Sequence, residues 1–192
     1  LPDHSTYDVD FSIEQAECDP DSDGSTCIDS DTADVCAEPG FWEEESCRLG
    51  CDNDECIDSN TCSSAYDATS DAQNGVTYSG DLTDFSNDNT EVGCGLDGWY
   101  SDGSDAMFRV DLEDGETLSA EHTIDGFIFP SVMIVSDCSD PAGTCLAGDS
   151  DDSQEAASAE YTADGDETVY VIADGDWPAS EGDTFDLDLS IE

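Results

Sequence analysis

The stretch that decides the fold is Thr184-Phe-Asp-Leu-Asp-Leu-Ser-Ile191, near the end of the sequence. Its apolar side chains are Phe185, Leu187, Leu189 and Ile191, and the positions between them are acidic or hydroxylated. Because successive side chains of a β-strand point to opposite faces, this alternation indicates a strand with one face in a core and the other in water. The segment therefore predicts a sheet that covers a hydrophobic core.

Five further stretches have the apolar pattern of strands, and short Asp-Gly turns lie between them. Short strands with closely spaced turns are typical of sandwiches. We therefore predict an all-β fold, with an antiparallel, jelly-roll-like β-sandwich formed by residues 75–192. The strands predicted ahead of the final one are Val76–Leu82, Met107–Leu112, Thr117–Ile124, Phe127–Val135 and Thr168–Ile172.

The charge of the chain is extreme, because 51 acidic residues face only two basic ones, Arg48 and Arg109, and the net charge is −49. Such a surface repels nucleic acid and anionic membranes, so we exclude both as partners. Repulsion among the carboxylates opposes a compact fold unless ions screen it, and at about 1 M salt the screening length falls to ~3 Å. The composition therefore predicts a halophilic protein. No apolar stretch approaches the length of a membrane span.

Ten cysteines indicate a disulfide-rich protein of an oxidising compartment. Most of them lie in residues 18–62, which we predict to be a small module held by disulfides instead of a core. We expect Cys138 to pair with Cys145 across a short loop, and Cys62 to pair with Cys94. The sequence leaves open the connectivity of the others, which are Cys18, Cys27, Cys36, Cys47, Cys51 and Cys56. Zinc is a weaker interpretation, because no histidine lies near these cysteines.

Residues 1–17 contain a second clear alternation of apolar and polar side chains, and residues 63–74 are small and polar, as in a linker. We expect the first segment to be an N-terminal strand extension that pairs either with its own sandwich or with a neighbouring molecule. The apolar residues of this assembly strand are Tyr7, Val9, Phe11 and Ile13. A sequence that starts at Leu1 and is rich in cysteine also predicts an extracellular or cell-surface chain whose signal peptide has been removed.

The sandwich segment resembles the bacterial pre-peptidase C-terminal domain over about residues 75–192. The resemblance is carried by Tyr-Ser-Gly-Asp-Leu at 78–82, Phe-Arg-Val-Asp-Leu at 108–112 and Thr-Val-Tyr-Val-Ile at 168–172. It implies a β-sandwich without catalytic residues that accompanies secreted enzymes and surface proteins. Residues 18–56, with Gly40-Phe41-Trp42 and Gly50-Cys51, are similar to cysteine-rich repeats of secreted bacterial proteins, which favours disulfides over zinc.

Candidate chemistry is sparse in this sequence. Asp19, Asp21 and Asp23 have the spacing of a calcium-binding loop, but Ser30 stands where an EF-hand loop has its bidentate glutamate. We therefore keep calcium as a possible ligand and expect no required cofactor. His122 falls in an alternating run and is expected on a strand face. We nominate no catalytic residue and expect no enzymatic activity.

These features favour two functions. The first is an extracellular structural protein, a subunit of a fibre, pilus-like filament or surface layer, whose copies polymerise in a saline medium by addition of the N-terminal strand. The alternative is a secreted accessory module that binds calcium, a glycan or a protein, for example in cell adhesion, without catalysis.

Overall fold

The structure is a computed structural model that describes residues 25–28, 32–37, 41–47, 49, 51–52, 55–56, 59, 61–87, 94, 103–126, 128–151, 156–176 and 183–192. Within that part of the chain the protein is an all-β sandwich with disulfide-bonded segments, as the alternating pattern predicts. The only helical elements there are α1, at Thr69–Ala72, and a single 3-10 turn at Leu82–Asp84.

Two facing sheets form the sandwich. Their strands are β6 (Tyr66–Asp67), β7 (Val76–Asp81), β8 (Ala106–Leu112), β9 (Thr117–Asp125), β10 (Pro130–Val135), β11 (Cys145–Ser150), β12 (Ala156–Thr162), β13 (Glu167–Gly175) and β14 (Thr184–Ile191). One sheet has the order β12-β9-β14-β7 and the other the order β11-β10-β13-β8-β6. All neighbouring strands are antiparallel except β6 and β8, which are parallel.

The N-terminal part contains two smaller sheets. Strands β1 (Thr26–Cys27), β2 (Thr32–Ala37) and β3 (Phe41–Ser46) form an antiparallel sheet in that order. Strands β4 (Cys51–Asp52) and β5 (Glu55–Cys56) form a separate short pair. Cys27 is bonded to Cys51, so a disulfide joins the two sheets. Cys36 and Cys47 are also disulfide-bonded, which agrees with a module held by sulfur links.

The main core lies between the two large sheets. Along β14 the burial alternates as the sequence predicts, with Phe185, Leu187 and Leu189 buried between exposed aspartates. On the neighbouring β7, the ring of Tyr78 stacks on Phe108 of the opposite sheet with a centroid distance of 4.6 Å. The apolar side of each strand therefore meets the apolar side of the facing sheet, which is the arrangement that buries most of this surface.

A second apolar cluster covers the outer face of the five-stranded sheet. It contains Met107, Met133, Val135, Ile172 and Cys138, and Cys62 and Ala65 pack against it. Strand β10 is consequently buried on both faces. This explains why its sequence is continuously apolar rather than alternating.

The observed disulfides correct two of the expected pairings. Cys62 is bonded to Cys138, and Cys94 is bonded to Cys145. The expected Cys138–Cys145 bond does not form because the β10–β11 ladder places Cys145 opposite Val135, while Cys138 turns onto the outer face of the sheet. Cys138 and Cys145 are bonded to Cys62 and Cys94 instead, so the expected Cys62–Cys94 bond is absent too.

Residues 63–74, which we predicted as a linker, are part of the sandwich. They contain β6 and α1, and Ala68 and Ala72 are fully buried. Besides β6, two further strands of the sandwich, β11 and β12, were not predicted. In β11 every residue is only partly buried, and in β12 the buried side chains are small alanines, so neither strand shows a strong alternation of large apolar residues.

Candidate functional site

A polar groove of about 560 Å³ lies where β8, β13 and α1 meet. The strands contribute Arg109, Asp111 and Leu112 from the end of β8 and Asp166, Glu167 and Thr168 from the start of β13. The β8–β9 turn contributes Glu113 and Glu116, and the helix contributes Thr69 and Gln73. These side chains converge because β13 pairs with β8 in a register that places Thr168 opposite Asp111 and Glu167 opposite Leu112.

Arg109 is the centre of the groove's hydrogen-bond network. Its Nη1 lies 2.6 Å from Oδ2 of Asp67, and its Nη2 lies 2.7 and 2.5 Å from Oδ1 and Oδ2 of Asp111. The hydroxyl of Thr168 donates to Oδ1 of Asp111 at 2.6 Å, and the Asp111 amide donates to the Thr69 hydroxyl at 2.9 Å. The network thus joins α1 and β6 to strands β8 and β13 of the sheet.

The electrostatics of Asp67 reflect this network. Partial burial by itself raises the pKa of Asp67, but hydrogen bonds from Thr69 and the nearby Arg109 charge outweigh it and hold the pKa below its ordinary value. Asp67 is therefore charged at neutral pH. Since two carboxylates share one guanidinium, and further carboxylates line the groove, the groove has a net negative charge. It suits a polar or cationic ligand better than an anion.

His122 is placed as the sequence predicts, on the inward face of β9, and it is fully buried. Its Nδ1 lies 2.9 Å from the carbonyl oxygen of Ser131 on the opposite sheet. Because a carbonyl can only accept, Nδ1 carries the proton, and the imidazole is the neutral tautomer that hydrogen-bonds across the sandwich. A role as general base is not supported by this position, which is closed to solvent.

Other predicted site residues lie outside the described residues. These are the assembly strand Tyr7, Val9, Phe11 and Ile13, the calcium motif Asp19, Asp21 and Asp23, and the cysteine Cys18. In the part of the chain that the structure describes, no group of three or more His, Cys, Asp or Glu side chains is arranged to hold a metal ion.

The sequence did not lead us to predict the groove residues as a functional site. The available signal is Arg109-Val-Asp111, in which a basic and an acidic residue share one face of a strand in a chain with only two basic residues. Two acidic side chains of the described residues are also buried, which is rare for carboxylates. Asp105 is fully buried, as is Asp174 on β13.

No protein-family model matches the chain, and the search of curated proteins gives no significant match. Its class therefore rests on the structure, which is that of a disulfide-bonded, all-β sandwich protein. Several disulfides are compatible with an extracellular location. None of the helices that the structure describes is long and apolar enough to cross a membrane.

Proposed function

We propose that this protein is an extracellular structural subunit whose copies assemble in a saline medium by β-strand addition, with β7 as the strand that receives the addition. The observation that carries the proposal is that the outer strands of the two sheets differ in whether other residues cover them. An outer strand is a template for another chain unless it is covered, and the four outer positions of the two sheets differ in this respect.

Three outer positions are covered within the described residues. Along β8, whose neighbour β6 is only two residues long, the Met107 amide donates to the Ser59 carbonyl at 2.6 Å. On β11 the Sγ of Cys94, which is bonded to Cys145, lies 2.9 Å from the backbone carbonyl oxygen of Ala147. On β12 the Ser158 amide donates to the Asp149 carboxylate at 3.0 Å.

Strand β7 is the fourth outer position, and its ladder in the described part of the chain is the one with β14. Thr77 and Ser79 on its exposed face donate hydrogen bonds to Asp188 and Asp186 of β14, which keeps this face polar. Its buried face carries Tyr78. A strand with the alternation of residues 6–13 matches both faces, since it has aspartates on one side and large apolar residues on the other.

Deletion of residues 1–17 tests this proposal. We expect the full chain to form fibres in concentrated salt and the truncated chain to remain monomeric, because the added strand is missing. Electron microscopy and light scattering measure the outcome. As a matched pair, Val9→Asp is expected to abolish fibres because it interrupts the apolar face, and Asp8→Asn to preserve them. Fibres formed by the truncated chain would show that strand addition is the wrong mechanism.

The groove around Arg109 supports a second candidate, the secreted accessory module that binds a glycan, a protein or calcium. The resemblance of residues 75–192 to the pre-peptidase C-terminal domain fits this role.

We expect a polar or cationic ligand in the groove to bind less tightly to Asp166→Asn and Glu167→Gln, with Asp186→Asn outside the groove as the control. Calorimetry with candidate glycans, basic peptides and calcium chloride tests it. Calcium binding unaffected by Asp166→Asn but lost in Asp21→Ala would assign the ion to the N-terminal motif instead.

A further inference from the structure

The edge of β8 that faces away from β13 is occupied by Ser59 and residues 61–69, which we call the cover. Ser59 accepts the hydrogen bond from Met107, and β6 pairs with Phe108 and Arg109 in parallel register. The Ala68 amide then donates to the Arg109 carbonyl at 2.9 Å, and the Thr69 hydroxyl accepts from the Asp111 amide at 2.9 Å. The cover therefore satisfies backbone groups along most of β8 without forming a long strand.

The cover also shields the second apolar cluster. Met107, Met133 and Ile172 on the outer face of the sheet are at most 2 % exposed, and Ala65 and Cys62 of the cover pack against their cluster. If the cover moved away, these side chains and the β8 edge would become accessible together. Apolar surface beside an unpaired strand edge is a strong site for association with another chain.

One disulfide attaches the cover to the far side of this face. Cys62 lies within the cover, and Cys138 follows β10, two strands away from β8 in the sheet order. The bond therefore spans the apolar cluster. After the cover, the chain passes through α1 to Gly75, whose φ of +72° is a conformation that glycine adopts readily and that precedes β7 directly. Gly75 is a suitable hinge for the segments on its two sides.

We propose that Cys62–Cys138 is a latch, and that opening it allows two copies of this chain to exchange covers across their β8 edges. The occupant is a second copy because its cover has the residues that already fit this edge, so each exchanged cover forms the same contacts that it forms within one molecule. This interface is separate from β7, so it does not depend on the proposed strand addition.

The chemical step is a thiol–disulfide exchange. A dithiol reductant gives two electrons and two protons to the Cys62–Cys138 bond, which becomes two thiols, and the dithiol becomes a cyclic disulfide. Reoxidation by a disulfide oxidant removes the same electrons and protons. If the covers have exchanged, the new bond joins Cys62 of one copy to Cys138 of the other, and the dimer becomes covalent.

The test compares Cys62→Ser/Cys138→Ser with the control Cys27→Ser/Cys51→Ser, which removes a disulfide of the N-terminal sheets. Both pairs are made in the full chain carrying Val9→Asp, the substitution expected to prevent fibres, and are studied in concentrated salt. We expect light scattering coupled to size exclusion to show a doubled mass for the first variant and a monomer for the control. In the dimer, the amide of Met107 should stay protected from hydrogen exchange because the exchanged cover still accepts its hydrogen bond. A monomeric first variant, or a dimer of the control as well, would overturn the latch.

A second experiment needs no variant and so does not depend on how the variants fold. Equal amounts of ¹⁵N-labelled and unlabelled protein are reduced briefly with a dithiol, mixed at high concentration and reoxidised. Mass spectrometry is expected to find Cys62–Cys138 peptides with one labelled and one unlabelled half. If every such peptide is fully labelled or fully unlabelled, the covers do not exchange and the proposal is wrong.

Discussion

Acidification from pH 6.5 to 4 is expected to remove about 3 kcal/mol of folding free energy through His122 alone. Burial lowers the pKa of this imidazole from 6.5 to about 4, although its hydrogen bond with Ser131 and the charge of Asp186 act in the opposite direction. Each unit of pKa difference corresponds to about 1.4 kcal/mol. Between the two values the unfolded chain binds a proton that the folded chain does not, so stability falls as the pH falls.

The pKa of His122 is lowered because its imidazole ring lies in the core. His122 is fully closed to solvent, and its ring packs edge-on against Phe185 with a centroid distance of 5.8 Å. Its other nitrogen, Nε2, has no hydrogen-bond partner in the described part of the chain. A second proton would therefore place a charge among apolar side chains, which costs far more than a charge in water.

The comparison that isolates this effect is the wild type against His122→Asn. Asparagine retains a donor for the Ser131 carbonyl and does not titrate. Urea unfolding at constant salt, measured at several pH values from 7 to 4, is expected to show a smaller loss of stability in the variant. Carboxylates with lowered pKa values, such as Asp81 and Asp137, lose their contribution mainly below pH 4 and do so in both proteins. Identical pH profiles for the two proteins would contradict the assignment.

Phe108→Ala is expected to lower the free energy of unfolding by about 3–5 kcal/mol, because a buried phenylalanine loses both its transfer free energy and its packing. Phe108 is fully buried on β8, stacks on Tyr78 of the facing sheet and lies opposite Val171 in the β13 ladder. Its removal leaves a cavity between the two sheets, which cannot close around it without moving their strands.

Urea unfolding in concentrated salt measures this loss. The matched control is Ile28→Ala, since Ile28 is an apolar residue that is 49 % exposed, and we expect its effect to stay within about 0.5 kcal/mol. A loss of less than about 1 kcal/mol in Phe108→Ala would show that the facing sheets do not pack through this ring. The same measurement at low salt is expected to give lower stability for every variant, because the carboxylates are then less screened.

Much of the fold was predictable because strand geometry acts over neighbouring residues. The alternation in β9 and β14 identified which side chains face the core, including His122 and Leu187, and the structure confirms these faces. The pattern failed where burial does not alternate. Strand β10 was predicted from its apolar residues, but their lack of alternation did not show that both of its faces are buried, so the second apolar cluster was not inferred. Strand β11 is only partly buried throughout and was not predicted.

The candidate groove was beyond sequence reasoning for a related reason. The sequence shows only the Arg109-Val-Asp111 spacing, and among 51 acidic residues nothing in it distinguishes Asp67 as a partner of Arg109. Asp67 becomes that partner because β6 packs beside β8, which is a consequence of sheet order. That order also decides which distant cysteines come within bonding distance.

The sequence by itself determined the all-β class, the inward faces of the clearest strands, the need for disulfides and the acidic surface, since each of these follows from local periodicity or from composition. Tertiary structure alone decided the Cys62–Cys138 and Cys94–Cys145 pairings, the cover over β8 and the ion pair between Arg109 and Asp67. These features join residues far apart in the chain, and their contacts exist only after the strands have taken their order in the two sheets.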